Sequence, residues 1–170
     1  MRSRAASLAG SALFLIVAPG TVAGLVPWLI SRWQEGADFG ESSLPFAVGA
    51  LLLAGGMFCL VESFVRFAWI GLGTPAPVAR TRRLIVSGPY RYVRNPMYLA
   101  VLAVICGQAL ILGRAELIVY AVAIWLLFHL FVTLHEEPSL RRRFPTDYAA
   151  YVEAVPRWVP SIRGWNSRNP

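Results

Sequence analysis

Long runs of apolar residues alternate with short polar connections along most of the chain. Four of these runs approach the ~20 residues that an α-helix needs to cross a bilayer, and they predict transmembrane helices at about residues 6–30, 44–72, 98–112 and 117–135. The first run resembles a signal peptide at its start, but it continues well past the ~7–15 apolar residues of a signal sequence. We therefore interpret it as a retained helix. The pattern predicts an all-α integral membrane protein that forms a single domain over residues 1–170.

The polar region after the fourth run contains a further helical pattern. Apolar or aromatic residues recur there at spacings of 4, 4, 3 and 4, at Leu140, Phe144, Tyr148, Tyr151 and Val155. These spacings place the five side chains on one face of a helix. The pattern predicts a C-terminal helix that lies on the membrane surface or on the cytoplasmic loop.

Charge is distributed unevenly among the connections. The chain is 56% hydrophobic with a net charge of +7, and all its basic residues are arginine, which is typical of a GC-rich bacterial genome. Residues 31–43 include three acidic residues and one arginine, whereas residues 73–97 include five arginines and no acidic residue. Because basic loops stay on the cytoplasmic side, we expect an inner-membrane protein with both termini in the cytoplasm. Orientation in the bilayer explains the basic charge without a nucleic-acid partner.

Several ionisable residues lie near the ends of the predicted helices, where burial in a bilayer would be costly. Glu136 and Glu137 are adjacent at the predicted end of the fourth helix, where the helix dipole disfavours negative charge. They require a positive partner, and the candidates are Arg91, Arg94, the Arg141–Arg143 run and a cationic ligand, so a salt-bridged boundary and a ligand site are both open. His129 lies seven residues before Glu136 and shares its helical face.

Other polar residues in the apolar runs predict structural roles. Glu62 and Arg66 are four residues apart, which favours an ion pair near the inner interface, with a role in ligand binding as the alternative. Cys59 and Cys106 lie inside apolar runs and are predicted to pack as small core residues. No group of residues has the spacing of a metal site, so we predict none.

The segment Gly88–Tyr98 is polar and conformationally restricted, although apolar runs flank it. Asn95 precedes Pro96 and is therefore directed away from α geometry, so the third helix should begin abruptly at the proline. The free N–H groups at a helix start and the planar guanidinium of Arg94 both suit a carboxylate. Together with one of the paired glutamates for an ammonium, these residues predict a cytoplasmic pocket for a zwitterionic amino-acid group.

Two blocks of sequence, LIVSGPYRYVRNPMY (Leu84–Tyr98) and EEPSLRRRFPTDYAAYVEAVPRWVP (Glu136–Pro160), lie on either side of a predicted helical hairpin. They resemble the isoprenylcysteine carboxyl methyltransferase family of integral-membrane enzymes that use S-adenosylmethionine, which includes bacterial members and related phospholipid N-methyltransferases. The resemblance covers about residues 71–160 and implies that this region binds the cofactor at the cytoplasmic side, leaving S-adenosylhomocysteine as product. It implies catalytic roles for Arg94, Asn95 and Glu137. It implies cofactor contacts by Leu84, Val86, Gly88, Tyr90, Arg94, Asn95, Pro96, Tyr98, His129, Glu136 and Glu137.

The chain departs from the eukaryotic members of that family at two positions. Asn95 stands where they have a histidine, and an amide can position groups by hydrogen bonding but cannot titrate near neutral pH. Val132 stands where they have an arginine, five residues before the second glutamate. The contact made by that arginine must therefore be supplied by another residue or be missing.

The resemblance implies methyl transfer to a lipophilic or amphiphilic acceptor that enters between the helices, with membrane lipids as neighbours. A carboxylate, an amine, a phenol and a thiol are all compatible acceptors, although no base for an amine is evident. Two alternatives are a reductase similar to the NADPH-dependent sterol reductases and a non-catalytic membrane scaffold or transporter. The sequence leaves the acceptor and the oligomeric state open.

Overall fold

A computed structural model describes residues 17–36, 43–70 and 84–165, with side chains from 67 to 70 excluded. Residues 6–16 and 71–72 of the predicted first and second helices lie outside these ranges. Every regular element in the described ranges is helical, which confirms the all-α class. The elements are α1 (Val17–Ser31), α2 (Leu44–Ile70), a 3₁₀ turn (Gly88–Arg91), α3 (Pro96–Leu112), α4 (Ala115–Arg143) and α5 (Pro145–Ala154).

Two of the described helices are long and apolar enough to cross a membrane. They are Leu44–Arg66 within α2 and the 29-residue α4. The helices α1 and α3 are apolar but shorter. Four transmembrane helices and the cytoplasmic placement of both termini therefore stay predictions.

Helix α4 continues well beyond residue 135, so the predicted end of the fourth helix is wrong. A π turn at Val132–Glu136 widens the helix two residues before Pro138. Proline has no N–H, and its ring collides with the carbonyl of the preceding turn; the wider π turn lets the helix pass this point without ending. In α1 a π turn at Thr21–Leu25 likewise lies two residues before Pro27. The paired glutamates therefore project from the side of a continuous helix, and the predicted conflict with the helix dipole does not arise.

Helix α3 lies at the centre of the bundle, packed against α1, α2 and α4. A methyl group on Gly49 of α2 would lie 2.8 Å from the carbonyl oxygen of Gly107 in α3, so these glycines permit the close approach of the two backbones. Gln108 donates to the carbonyl of Ala23 in the π turn of α1 at 2.7 Å. The buried core of the bundle comprises Ala23, Leu60, Phe64, Ala100, Val101, Val104, Ile105 and Ala121.

The predicted C-terminal helix is divided into two helices at Phe144. This residue has φ −133° and ψ 61°, because the ring of Pro145 disfavours α geometry in the residue before it. The predicted apolar stripe is nevertheless confirmed as a packing face. Its buried members, Tyr148, Tyr151 and Val155, pack against Leu84, Val86, Leu140, Phe144, Val152 and Trp165.

After α5, residues 155–165 form an irregular segment that we call the C-terminal strap. It runs beside the polar segment that precedes α3 and is joined to it by backbone hydrogen bonds from Arg94 to Pro156 and from Ser161 to Tyr92, each 2.9 Å. The hydroxyl of Tyr151 donates to the carbonyl of Tyr90 at 2.6 Å, and burial raises the pKa of this phenol, which keeps it protonated. These contacts place the strap against the start of α3.

Candidate functional site

A buried carboxylate held by two guanidinium groups forms the centre of the candidate site. The side chain of Glu137 is 8% exposed and accepts a hydrogen bond from Arg94 Nη1 at 3.0 Å. Arg157 binds the same carboxylate through two donors, Nε at 2.6 Å and Nη2 at 3.1 Å. Its hydrogen bonds to Glu137 raise the pKa of the Arg157 guanidinium. This bidentate geometry is the strongest form of an arginine–carboxylate pair.

Three separate elements supply these residues. Arg94 lies just before α3, Glu137 follows the π turn in α4, and Arg157 belongs to the C-terminal strap. The amide of Asn95 donates to the carbonyl of Arg157 at 3.1 Å. Asn95 therefore fixes the backbone that carries Arg157, which is consistent with the predicted positioning role of this amide.

One donor in this group of residues lacks a partner. The Nε atom of Arg94 is buried and has no hydrogen-bond partner among the described residues. A buried donor without an acceptor costs about 1–3 kcal/mol, and in native proteins such a group requires an explanation such as a ligand. The Nε–H of Arg94 is thus a buried donor that is available to a further acceptor.

The second glutamate has a different partner. The hydroxyl of Tyr98 donates to Glu136 Oε1 at 2.6 Å. No arginine in the described ranges forms an ion pair with Glu136. The two adjacent glutamates therefore differ in their electrostatic environment, because a neutral phenol faces one and two cations face the other.

An aromatic cluster lies beside these charged groups and comprises Tyr98, Trp125, Phe128, His129 and Trp158. Trp158 Nε1 donates to His129 Nδ1 at 3.0 Å, so the imidazole nitrogen that accepts this bond carries no proton. Ring centroids are 4.5 Å apart for Tyr98 and Phe128 and 6.4 Å apart for Trp125 and Trp158. The faces of such rings attract cations, so the cluster suits a positively charged group of a ligand.

The remaining predicted residues belong to the segment before α3 and to the first residue of that helix. Leu84 and Val86 pack against α5. Tyr90 is buried, and its carbonyl accepts the hydrogen bond from the hydroxyl of Tyr151 in α5. Pro96 is the first residue of α3. Gly88 has φ +60°, and a methyl group on it would lie 2.1 Å from Nε of Arg66. This position therefore requires glycine.

The predicted ion pair between Glu62 and Arg66 is confirmed. Arg66 also donates to the hydroxyl of Ser87 at 3.3 Å. The pair thereby joins α2 to the start of the polar segment, which is a structural role.

The structure thus brings Arg94, Asn95 and Glu137 together, with Tyr98, Glu136 and His129 next to them. Sequence reasoning missed Arg157, which lies within the second block of sequence, Glu136–Pro160, but was given no role there. Val132 is buried at 1% exposure, and the two guanidinium groups on Glu137 come from Arg94 and Arg157. The signal that could have indicated Arg157 is its position between Pro156 and Pro160, which excludes a regular helix there.

No curated protein and no solved structure matches the chain. A family model described as phospholipid methyltransferase matches residues 44–147. The matched region includes Arg94 and Glu137, whereas the C-terminal strap with Arg157 follows it. Because this match covers more than half of the 170 residues, the chain belongs to the phospholipid methyltransferase family of membrane methyltransferases.

Proposed function

We propose that this protein transfers a methyl group from S-adenosylmethionine to a lipophilic or amphiphilic acceptor. Membership of the methyltransferase family supports the reaction type. The observation that carries the choice of cofactor is the buried ion group of Arg94, Glu137 and Arg157 beside the aromatic cluster. It offers opposite charges for a zwitterionic amino-acid group and ring faces for a sulfonium.

The charges of the site fit this cofactor. Arg94 and Arg157 balance Glu136 and Glu137, and the amino-acid group of S-adenosylmethionine adds one positive and one negative charge, so this group leaves the balance unchanged. The sulfonium adds one further positive charge, which the faces of the aromatic cluster attract. The buried Nε atom of Arg94 is a donor without an acceptor, which a carboxylate can provide. The residues present therefore suit the group on both charge and hydrogen bonding.

The sulfonium of the cofactor supplies an already activated methyl group, so the protein has mainly to position the reactants and exclude water. Arg94 and Glu137 hold the amino-acid end. Asn95 fixes the strap through the carbonyl of Arg157, and Trp158 is oriented by its bond to His129. In this scheme Asn95 positions other groups and transfers no proton.

The acceptor reaches the site from the bilayer. Trp125, in the aromatic cluster, is 37% exposed on α4, and the neighbouring Leu126 and Leu130 are 50% and 53% exposed. An amphiphilic molecule can place its polar end against the rings while its chain remains in contact with this apolar face. This arrangement supports a lipid-soluble acceptor.

Titration calorimetry with the purified full-length protein tests the cofactor assignment. We expect binding of S-adenosylmethionine and S-adenosylhomocysteine, and weaker binding after Arg94→Ala or Glu137→Gln. The matched control is Glu116→Gln, whose carboxylate is 61% exposed at the other end of α4. Folded wild-type protein that binds neither ligand, or that NADPH protects against heat while S-adenosylmethionine does not, would contradict the proposal.

The class of acceptor can be identified by mass spectrometry. Lipid extracts of the host with and without the protein should differ in species that gain one methyl group. Glu137→Gln should abolish the difference, and Glu116→Gln should preserve it. Identical extracts from cells with the active and the substituted protein would exclude an endogenous lipid acceptor.

A further inference from the structure

We propose that Arg157 is a ligand-binding residue, which binds the carboxylate of the amino-acid end of the cofactor and releases Glu137 when it does so. This inference rests on the proposed function and adds to it a residue from the C-terminal strap, which the family match does not reach. Arg157 and Glu137 pair with each other in the structure. When the ligand binds, its carboxylate takes the place of Glu137 on Arg157, and its ammonium takes the place of Arg157 on Glu137.

Positive charge is unevenly distributed between the two adjacent glutamates. Glu137 accepts three guanidinium N–H bonds from two arginines, so this group has one surplus positive charge in a largely buried place. Next to it, Glu136 is bonded to the neutral Tyr98 and has no arginine partner among the described residues. The two arginines therefore have too few carboxylate partners, and Glu136 has no cationic partner among the described residues. A zwitterionic ligand provides one charge of each sign.

The geometry of the Arg157–Glu137 pair suits an exchange of one carboxylate for another. Arg157 presents Nε and Nη2 together to the carboxylate of Glu137, at 2.6 and 3.1 Å. Two parallel donors of this kind are the arrangement in which a guanidinium recognises any carboxylate. The carboxylate of a ligand can therefore replace that of Glu137 on Arg157, after which Glu137 is free to pair with the ammonium.

Arg157 is more accessible to solvent than Arg94. The side chain of Arg157 is 32% exposed, whereas that of Arg94 is 11% exposed. The backbone of Arg157 is fixed at the same time, because its carbonyl accepts from Asn95 and its neighbour Pro156 accepts from Arg94. A fixed backbone with a partly exposed side chain is what an exchange of partners requires.

The test compares two ligands in the wild-type protein and in Arg157→Gln by titration calorimetry. The ligands are S-adenosylhomocysteine and its decarboxylated form, which keeps the ammonium and lacks only the carboxylate. The quantity of interest is the ratio of the two affinities within one protein, because a general loss of stability affects both ligands and cancels. We expect the wild type to prefer S-adenosylhomocysteine and the ratio to fall about tenfold or more in Arg157→Gln, as for a charged hydrogen bond.

Two further variants complete the design. Arg163→Gln removes an exposed arginine from the same strap and should leave the ratio unchanged. Arg157→Lys keeps the charge but not the paired donors, and its ratio should lie between those of the wild type and Arg157→Gln.

The outcomes separate this inference from the proposed function. A wild-type protein that binds both ligands equally, or a ratio that Arg157→Gln leaves unchanged, overturns the role of Arg157 while cofactor binding stands. Tighter binding of S-adenosylhomocysteine by Arg157→Gln also overturns it, because Arg157 would then only obstruct the site. Wild-type protein that binds neither ligand overturns the proposed function and this inference together.

Discussion

Glu137→Gln removes the negative charge that Arg94 and Arg157 share, and it keeps the size of the side chain. The carboxylate is 8% exposed and receives three guanidinium hydrogen bonds. Removing one partner of a buried ion pair costs about 3–5 kcal/mol, because the remaining charge stays buried without compensation. The stability of the ligand-free protein should therefore depend strongly on this one carboxylate.

The exposure of the two arginines determines where in this range the cost falls. Arg94 is 11% exposed and cannot recover its lost partner from water, whereas Arg157 is 32% exposed and can do so in part. The amide oxygen of the glutamine also retains one acceptor. We expect a loss near the lower end, about 3 kcal/mol, which corresponds to a fall in melting temperature of about 6–12 °C for a chain of this length.

Thermal unfolding without ligand, followed with a thiol-reactive fluorescent dye, measures this loss. The protein provides its own reporters, because Cys59 in α2 and Cys106 in α3 are partly buried free thiols. Glu116→Gln is the control, since a carboxylate that is 61% exposed and 3.9 Å from Arg114 contributes little to stability.

A double substitution checks the physical reason. Arg94→Gln together with Glu137→Gln removes both charges of one pair, so it should cost less than the sum of the two single changes. An unchanged melting temperature for Glu137→Gln, or strictly additive losses in the double variant, would refute the reasoning that these charges compensate each other.

Three further predictions follow from close contacts and hydrogen bonds. Gly88→Ala should lower the free energy of unfolding by about 1–2 kcal/mol, because a left-handed conformation costs that much in a residue with a side chain. The new methyl group should also displace Arg66. An unchanged melting curve would contradict this prediction. Gly107→Ala should lower the melting temperature because its methyl group meets the backbone of α2 at 2.7 Å, whereas Gly55→Ala, with no atom within 4 Å, should not; equal effects would contradict this. Trp158→Phe keeps an aromatic ring but removes the hydrogen bond to the imidazole of α4, so calorimetry should show roughly threefold to tenfold weaker binding of S-adenosylhomocysteine, and unchanged affinity would count against an orienting role.

Much of the helical framework could be predicted from local sequence. Helix α3 ends as predicted at residue 112 because Gly113, with φ +64°, takes the left-handed conformation that closes a helix. It begins at Pro96, since proline has no N–H to lose at that position and restricts the residue before it. These rules act over one or two residues, so they need no knowledge of the rest of the fold.

The end of α4 could not be predicted in this way. The apolar run stops near residue 135, and Pro138 normally interrupts a helix, so the local signals favour an end before the paired glutamates. The structure instead accommodates the proline with the π turn at Val132–Glu136. This choice depends on the contacts made beyond it, where Glu137 meets arginines from two other elements.

The sequence by itself determined that charged groups in an apolar chain need partners of opposite charge, and it indicated Arg94 and Glu137 as residues of one site. Only the tertiary structure decided which of the 16 arginines joins them. Arg157 reaches Glu137 because the strap is bonded to the segment before α3, over a separation of about sixty residues. Contacts of that kind leave no periodic pattern in the sequence, since they depend on how independent elements pack and not on the spacing within any one of them.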